Sequence, residues 1–374
     1  MTLKSVVVTG IGLVCALGRL KSSWQKLTQG KSGINQQQPF SAFHPQPLGL
    51  MKAQPTTINQ IIPILVTDAL TDAGLTPPLA DFGVVVGSSR GYQAKWEQQA
   101  EKFDSNQGLF PDFLHHQVAL QVAHQIGSTG PLLAPMAACA TGVWALATAY
   151  ELIQTGQCQQ VIAGAVEAPI TPLTLAGFSQ MGALAKTGAY PFDCRREGFV
   201  LAEGGALFVL ESAELAQRRA APIYGQILGL GLTADACSLN RPNLKGKSSI
   251  NAINQALQRS DLSAHNIDYI HAHGTATRLN DQHEANLIQS LFPSTVAVSS
   301  TKGATGHTLG ASGALGIAFS LMALKHQTLP PCVGLTDAEF PLNFVREARR
   351  ATVQNTLCFS FGFGGQNAAI ALGR

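Results

Sequence analysis

One cysteine, Cys139, has the position in the chain that a nucleophile requires. It lies in residues 137–142 (AACATG), after a short apolar run and directly before an alanine-rich stretch with helical periodicity. Free backbone N–H groups and the helix dipole at such a point favour a thiolate and an anion beside it. Small neighbouring residues let a substrate approach the sulfur closely. From this segment alone, a small buried cysteine without reactivity is an equally good interpretation.

Two histidines follow predicted strands in turns that are rich in glycine and threonine. His273 lies in residues 271–277 (HAHGTAT), and His307 ends residues 302–307 (KGATGH). Sites in α/β proteins form at such strand ends. A single histidine is more often structural, but two of them and a cysteine at a helix start favour a nucleophilic enzyme.

Charged residues near these histidines could support them. Asp281 and Glu284 are three positions apart on one predicted helix face, where either could hold Lys302 or orient a histidine. The alternative interpretation is a solvated first helical turn, in which acidic residues suit the helix dipole whatever the function. We expect no metal, because no pair of cysteines has the spacing of a zinc ribbon.

Glycine-rich segments at the two ends of the chain suggest further groups. Residues 359–367 (FSFGFGGQN) place aromatic rings between glycines, which could present backbone N–H groups to an oxyanion and an aromatic wall to a substrate. Residues 10–12 (GIG) superficially suggest dinucleotide binding. Cys15 occupies the third glycine position and no acidic residue precedes Asp68, so we expect no dinucleotide there.

The elements around these residues alternate in the way that is typical of an α/β fold. Short apolar runs predict strands at 6–9, 84–86, 161–164, 207–210, 223–230, 267–271, 296–299 and 357–359. Longer periodic stretches predict helices at 58–73, 114–126, 141–155, 248–259, 281–291 and 311–325. Strands and helices therefore follow one another along the whole chain.

The chain also repeats one supersecondary unit. Residues 132–156 and 296–327 each predict a strand, a turn and then a helix built from small residues. A charged join at 211–222 separates the two units. We therefore predict an internal duplication with two halves, residues 1–215 with the cysteine and residues 222–374 with the two histidines.

The composition excludes several classes of protein. Charged residues make up only 13% and the net charge is +3, which disfavours disorder, a coiled coil and a nucleic-acid-coating protein. A chain so poor in charge has little with which to cover a large free surface, so we expect a homodimer. Seven scattered cysteines without a C-x-x-C pair indicate a reducing compartment, and we expect a cytoplasmic protein.

Three apolar stretches need an interpretation against export signals and membrane spans. Residues 4–18 (KSVVVTGIGLVCALG) could mimic a signal peptide, but β-branched valines followed by glycines favour a buried first strand. Residues 125–150 and 303–324 contain no Asp, Glu, Lys or Arg. Glycines and hydroxyl residues within them favour buried core helices over membrane spans.

With these motifs the sequence resembles the β-ketoacyl-[acyl-carrier-protein] synthases of types I and II, the condensing enzymes of fatty-acid and polyketide synthesis. The resemblance includes six segments in the family's order, at 6–18, 137–142, 191–206, 272–281, 300–311 and 360–367. It implies a thiolase-like αβαβα five-layered sandwich of two similar halves, dimeric, with the active site between the halves.

The resemblance also implies a role for each candidate. Cys139 would accept an acyl chain from an acyl carrier protein, and His273 and His307 would assist decarboxylation of a malonyl thioester. The backbone N–H groups of Cys139 and Phe363 would form the oxyanion hole, with the Phe363 ring gating the acyl chain. Lys302 and Glu284 would form a supporting ion pair. The residues that would hold the substrate are Thr275, Thr277, Phe178 and Phe361. No cofactor is implied, since phosphopantetheine on the carrier holds the substrates.

The sequence departs from the family's pattern in ways that bear on its partner. The chain is shorter than typical members. Residues 53–82 contain no Lys or Arg, although the family's helix there often carries basic residues for docking the acidic carrier. Other basic clusters lie at Arg195 and Arg196, at Lys245 and Lys247, and at Arg346, Arg349 and Arg350. The docking site of the carrier is therefore left open.

Two other functions fit parts of the sequence. A non-condensing chain-length or scaffold partner would keep the same fold, and the missing basic residues favour it, but such partners usually lose the nucleophile. A cysteine hydrolase is suggested by the interval between Cys139 and His273, which is similar to that in papain-like proteases. The flanking Cys-Gly-Ser-Cys-Trp pattern is absent and an α/β repeat does not fit that fold, so we expect a condensing enzyme.

Overall fold

The computed structural model describes residues 4–101, 113–238, 243 and 246–374. Lys245, one of the basic residues named above, lies outside the described residues. The strands are β1 (Val6–Cys15), β2 (Gly18–Arg19), β3 (Asn35–Gln37), β4 (Gln46–Leu48), β5 (Gly83–Gly87), β6 (Leu132–Leu133), β7 (Gln160–Glu167), β8 (Gly204–Ser212), β9 (Gly225–Ala234), β10 (Tyr269–His271), β11 (Ala297–Ser299), β12 (Thr328–Leu329), β13 (Asn343–Phe344), β14 (Arg349–Arg350), β15 (Asn355–Gly362) and β16 (Gln366–Gly373). The helices are α1 (Leu20–Thr28), α2 (Ile58–Ala73), α3 (Gln93–Glu101), α4 (Gln117–Ile126), α5 (Thr141–Gln154), α6 (Pro172–Gln180), α7 (Ala213–Arg218), α8 (Lys247–Arg259), α9 (Arg278–Leu291), α10 (Lys302–Thr305) and α11 (Ser312–His326).

Two sheets with the same topology form the framework. The first has the order β1-β8-β7-β5-β6, and the second has β9-β16-β15-β10-β11 with β13 added at its edge. Along each five-strand order, the first two neighbour pairs are antiparallel and the next two are parallel. The sheets join where residues 6–8 of β1 pair with residues 225–227 of β9. This repeat is the pattern expected of two similar halves.

Three hydrophobic cores lie between five layers, and the central core covers both faces of the middle layer. Helices α2 and α4 cover the outer face of the first sheet, α5 and α11 fill the space between the sheets, and α8 and α9 cover the outer face of the second. The inner strand β5 (GVVVG) is buried on both faces, which is why it is uniformly apolar. The predicted αβαβα sandwich of two similar halves is confirmed.

The central helices consist of small residues because they lie between two sheets and against each other. Every residue from 312 to 324 in α11 is buried. Where α5 crosses it, a Cβ atom on Gly142 would lie 2.7 Å from the backbone nitrogen of Ala314. Among the described residues one segment, Leu309–His326, is long and apolar enough to cross a membrane, but 89% of it is buried inside the protein. Its apolar composition therefore reflects packing between the sheets.

Several elements follow the sequence prediction and others depart from it. Helix α2 has its predicted bounds, because Thr57 and Gln60 form a capping box at its start and Gly74 ends it with φ of 66°. Strand β1 is longer than predicted and runs through the GIG segment, so those glycines lie inside a buried strand. The glycine-rich segment at 359–367 comprises the end of β15, a turn at 363–365 and the start of β16.

A methyl group added at the crossing of α5 and α11 tests how closely these helices pack. Gly142→Ala is expected to lower the free energy of unfolding by about 1–3 kcal/mol, because the new Cβ would press on the backbone of α11. Gly177→Ala in α6 is the matched control, since no atom lies within 4 Å of its new Cβ. It is expected to be neutral or to stabilise by up to about 1 kcal/mol. Urea unfolding at one protein concentration measures both, and equal stabilities would contradict the close contact.

Candidate active site

Cys139 lies in a tight turn between β6 and α5. Ala138 adopts a left-handed backbone conformation with φ of 48°, uncommon for a residue with a side chain, and places Cys139 two positions before α5. Thr141 fixes the turn, since its hydroxyl accepts a hydrogen bond from Ala137 N at 2.9 Å and donates one to Ala138 O at 2.7 Å. The predicted position of Cys139 at a helix start is confirmed.

The turn between β15 and β16 passes directly beside Cys139. A Cβ atom on Gly362 would lie 2.8 Å from Ala137 O and 3.1 Å from Cys139 N, so only glycine fits there. The backbone N–H of Phe363 lies close enough to the Cys139 sulfur to help lower its pKa. Ser360 Oγ donates to Cys139 O at 2.9 Å. The second half of the chain therefore supports the cysteine of the first.

His273 lies just beyond β10 and is held from two sides by buried charged groups. The Lys302 ammonium donates to the carbonyl oxygen of His273 and lies 3.3 Å from its Nδ1. Glu284 accepts hydrogen bonds from the backbone N–H groups of His273 and Gly274, at 2.5 and 2.7 Å. Because an ammonium has only hydrogens to offer, Nδ1 accepts and the neutral ring carries its proton on Nε2.

Lys302 and Glu284 do not form the direct ion pair that the resemblance implies. No ion pair between them is found within the described ranges. The Glu284 carboxylate is instead occupied by the two backbone N–H groups and by Asn280 at 3.3 Å. Asp281 and Glu284 are fully buried, so the interpretation of a solvated first turn is wrong. Burial raises the pKa of Glu284 to about 7 and lowers the pKa of Lys302.

His307 enters the site from the turn between α10 and α11. Its backbone N–H donates to Val200 O at 2.7 Å, and its carbonyl accepts from Ala202 N at 3.1 Å. Its ring Nδ1 lies 2.6 Å from the Oγ of Ser312, the first residue of α11. A serine hydroxyl can donate or accept, so this ring, unlike the first, can carry its proton on either nitrogen.

The cysteine and the two histidines form one cluster. Cys139 Sγ and one ring nitrogen each of His273 and His307 all lie within 4.8 Å of one another. The two imidazole rings meet edge to face, with centroids 5.4 Å apart. All three side chains are buried. Sulfur and imidazole ligands of this kind could also hold a metal ion, and the expected absence of a metal stays a prediction.

Burial keeps all three groups uncharged. It raises the pKa of Cys139 to about 11, and the positive charge of Lys302 and the N–H of Phe363 oppose that rise. Burial, together with the Lys302 charge, lowers the pKa of both His273 and His307 well below the usual value. At neutral pH the resting cluster therefore contains a thiol and two neutral imidazoles.

The cluster forms the inner end of a cavity of about 400 Å³. Eight of the ten candidate site residues line this cavity: Cys139, Phe178, His273, Thr275, Thr277, His307, Phe361 and Phe363. The other two, Lys302 and Glu284, lie behind His273. Several lining residues reach the surface, and we call the part of the rim formed by Glu197, Asp235, Arg278, Leu279 and Asn280 the mouth.

The walls of the cavity differ in polarity. The ring of Phe178 packs edge to face on Phe199 at 5.1 Å and lies 6.3 Å from the ring of Phe363. Phe363 is 39% exposed, at the tip of the turn between β15 and β16. The hydroxyls of Thr275 and Thr277 lie 2.9 Å apart on the way to the mouth. One wall is therefore aromatic, and the other carries hydroxyl groups.

Two residues of the site, Ser312 and Phe199, are not among those predicted from the sequence. Ser312 is the hydroxyl residue of the first turn of α11, and its spacing of five positions from His307 is a signal that could have found it. Phe199 packs edge to face on His307 at 5.1 Å. Phe199 lies in the segment at 191–206, but nothing in that segment shows that its ring reaches the site, because the segment is brought there by the pairing of Val200 and Ala202 with His307.

Two of the basic residues noted in the sequence are structural. Arg196 is 2% exposed and bonds the carboxylate of Glu339 and the carbonyl of Asp193. Arg195 pairs with the Asp193 carboxylate at 2.9 Å. Arg196 is therefore closed to a partner, and Arg195, although its side chain is 52% exposed, is already paired within the chain.

Sequence comparison decides the family. Residues 56–216 match the beta-ketoacyl synthase N-terminal domain, and residues 224–336 match the beta-ketoacyl synthase C-terminal domain. The chain belongs to the β-ketoacyl synthase family. Members of the family match along nearly the whole chain.

Two relatives illustrate the match. The mitochondrial 3-oxoacyl-[acyl-carrier-protein] synthase of Arabidopsis thaliana is 32% identical over 427 residues, which covers 98% of this chain and 92% of the relative. The 3-oxoacyl-[acyl-carrier-protein] synthase 2 of Synechocystis is 32% identical over 408 residues, with 98% and 97% covered. Both alignments exceed the 374 residues of this chain because the relatives contain segments that it lacks.

Solved structures of ketosynthases share the fold. A beta-ketoacyl synthase from Burkholderia phymatum has a TM-score of 0.90 at 27% identity, with 99% of both chains covered. A type II PKS acyl-carrier protein in complex with its ketosynthase, bound to the hexaketide, gives a TM-score of 0.92 at 26% identity, again over 99% of both chains. The expected thiolase-like fold is confirmed.

Replacing Lys302 tests whether its charge acts on the thiol of Cys139. Lys302→Met removes a charge that opposes the rise in the pKa of Cys139, so that pKa is expected to rise further. Alkylation of Cys139 by iodoacetamide at pH 8 is then expected to slow about tenfold for each unit of the rise. Peptide mass spectrometry follows the alkylation, and Lys302→Arg, which keeps the charge, should slow it less. An unchanged rate in a folded Lys302→Met protein would show that the charge does not reach the sulfur.

Proposed function

We propose that this protein is a 3-oxoacyl-[acyl-carrier-protein] synthase, a decarboxylating condensing enzyme of the Cys-His-His type in fatty-acid or polyketide-type synthesis. The observation that carries the proposal is the cluster of Cys139, His273 and His307 within 4.8 Å at the inner end of one cavity. Relatives with this name at 32% identity support the substrate class. A thiol beside two imidazoles suits a reaction that forms a thioester and then stabilises an enolate.

In the first step, Cys139 attacks the carbonyl carbon of an acyl thioester on the phosphopantetheine of the carrier. A thioester forms on Sγ, and the carrier thiol leaves with the proton that the Cys139 thiol gives up. His307 is suited to carry this proton, because Nε2 is free to accept it when Ser312 accepts from Nδ1. The N–H groups of Cys139 and Phe363 would hold the oxyanion of the tetrahedral intermediate.

In the second step, a malonyl thioester enters the cavity and loses CO₂. The bond to its carboxylate breaks, and the electron pair forms an enolate that hydrogen bonds to the thioester oxygen stabilise. His273 would donate one of these bonds from Nε2, since Lys302 occupies its Nδ1. His307 would donate the other when Ser312 donates to its Nδ1. No strong base is needed for this step.

In the third step, the enolate carbon attacks the carbonyl carbon of the thioester on Cys139. A carbon–carbon bond forms, Sγ leaves as a thiolate that takes up a proton, and the 3-oxoacyl product departs on the carrier. Phe178 and Phe361 would contact the acyl chain from the aromatic wall. Thr275 and Thr277 would bind the phosphopantetheine arm through their hydroxyls.

We further propose that the protein is a cytoplasmic homodimer that takes substrates from an acyl carrier protein and needs no cofactor. All seven cysteines are free, which suits a reducing compartment. Leu133, on the edge strand β6, is 41% exposed, and Met136, three positions after it, is 62% exposed, and both offer apolar surface to a second copy. The ketosynthase neighbour in complex with its acyl-carrier protein supports the choice of carrier.

A non-condensing chain-length or scaffold partner remains the second candidate. One structural neighbour, at 26% identity and a TM-score of 0.91, is described as the ishigamide ketosynthase/chain length factor. The complete cluster around Cys139 favours the enzyme. Cys139→Ala separates the two, because a scaffold's effect on its partner would survive the substitution and condensation would not.

Intact-mass measurement after incubation with a series of acyl carrier proteins tests the nucleophile. One acyl adduct is expected on the parent protein and none on Cys139→Ala. Cys194→Ala, which removes an exposed cysteine, should retain the adduct. Malonyl carrier protein is then expected to discharge the adduct and release a 3-oxoacyl product. No adduct on the well-folded parent protein would contradict the proposal and favour the scaffold.

Ser312→Ala tests whether His307 carries the proton in acyl transfer. Without the hydroxyl, Nδ1 loses its partner, so acyl transfer to Cys139 is expected to slow about tenfold or more while half-saturation by the acyl carrier stays the same. Ser320→Ala, which removes a buried hydroxyl of the same helix bonded to Gly316 O at 2.9 Å, should keep the parent rate. Rapid-quench mass spectrometry gives the rates. Equal rates for the two variants would exclude this role.

A further inference from the structure

The mouth of the cavity contains a cation, Arg278, that has no partner among the residues that the structure describes. Arg278 is the first residue of α9, is exposed, and lines the mouth with Leu279 and Asn280. Its guanidinium makes no hydrogen bond or ion pair with any other residue that the structure describes. It is therefore free to bind an anion that arrives from solution.

The acidic groups of the mouth are satisfied within the chain. One oxygen of Glu197 accepts three hydrogen bonds from residues 186–187, at 2.8 to 2.9 Å. Asp235 accepts from Asn367 at 2.8 Å and from the backbone N–H of Asn243 at 2.9 Å. Each carboxylate accepts hydrogen bonds from nearby backbone and side-chain groups, and neither forms an ion pair with Arg278.

The neighbouring arginines, unlike Arg278, are paired with carboxylates. Arg196 is buried against Glu339, and Arg195 is paired with Asp193. The charge of Arg278 contributes to lowering the pKa of Glu339, but that carboxylate already bonds Arg196, which is the larger cause. Arg278 thus keeps its hydrogen-bond donors for a ligand.

Polar groups lead from this cation to the nucleophile in a fixed order. Arg278 is exposed, Thr277 is half-buried, Thr275 is buried, and His273 lies beside Cys139 at the inner end. A phosphopantetheine arm has its thioester at one end, amides along its length and a phosphate at the other end. With the thioester at the sulfur and the amides along the hydroxyls, the phosphate lies at the mouth.

We propose that Arg278 binds the phosphate of the phosphopantetheine arm. The inference rests on the proposed function and adds the group by which the mouth recognises that substrate. A guanidinium suits this task because its planar donors pair with two phosphate oxygens at once. Residues 53–82, which include α2, offer no Lys or Arg, so that region supplies no cation of its own for a carrier.

Substrates that differ only in the phosphate test the proposal. Acyl-phosphopantetheine and acyl-pantetheine carry the same thioester, and only the first carries a phosphate. For the parent protein, half-saturation of Cys139 acylation is expected at about tenfold lower concentration of the phosphorylated substrate. Arg278→Gln should remove this advantage and leave acyl-pantetheine unchanged. Arg218→Gln, at an exposed arginine that does not line the cavity, should behave as the parent protein.

The remaining outcomes distinguish the possible failures. Equal use of the two substrates by the parent protein overturns the inference and leaves the proposed function intact, since both still acylate Cys139. A defect of Arg278→Gln seen only with the acyl carrier protein also overturns it, and assigns Arg278 to carboxylates of the carrier. Failure of every substrate to acylate the folded parent protein contradicts the proposed function itself. A binding measurement repeats the test without the reaction. Phosphopantetheine is expected to protect Cys139 from iodoacetamide at lower concentrations than pantetheine does.

Discussion

The contact between α5 and α11 in the middle layer is the constraint on which the site depends. Two helices can share the space between two sheets only if the residues that face each other are small, and Gly142 meets Ala314 there without room for a Cβ atom. Cys139 lies just before α5, and Ser312 begins α11 beside the ring of His307. The packing of the two helices therefore fixes the distance between a thiol from one half and an imidazole from the other.

Around this contact, charged groups are buried where they hold the backbone of the site. Glu284 binds the N–H groups of the His273 loop, and Asp281 accepts from Phe192 N at 2.7 Å and Ala276 N at 3.2 Å. Burial raises the pKa of Asp281 to about 6, and these hydrogen bonds oppose the rise. Neither carboxylate lines the cavity. Both position a loop whose imidazole does line it, and Lys302 sets which nitrogen of that imidazole carries the proton.

Local signals in the sequence predict those parts of the structure that depend on local interactions. The capping box and the final glycine of α2 specify its bounds, and the small residues after Cys139 specify a helix start. Strand β16 (QNAAIALG) is not predictable in this way, because its alanines have little preference for strands and it exists through pairing with β15 and β9. Similarly, helical spacing predicts that Asp281 and Glu284 lie on one face of α9, but it does not predict that this face is buried.

The repeated topology has a consequence for the origin of the active site. The unit β6–Cys139–α5 in one half corresponds to β11–His307–α11 in the other, so the same junction supplies the thiol in one and the imidazole in the other. Neither half contains both groups. A gene that encoded a single half would specify no complete site unless two copies met face to face. The repeat therefore places one kind of junction twice in the chain, with a thiol at the first and an imidazole at the second.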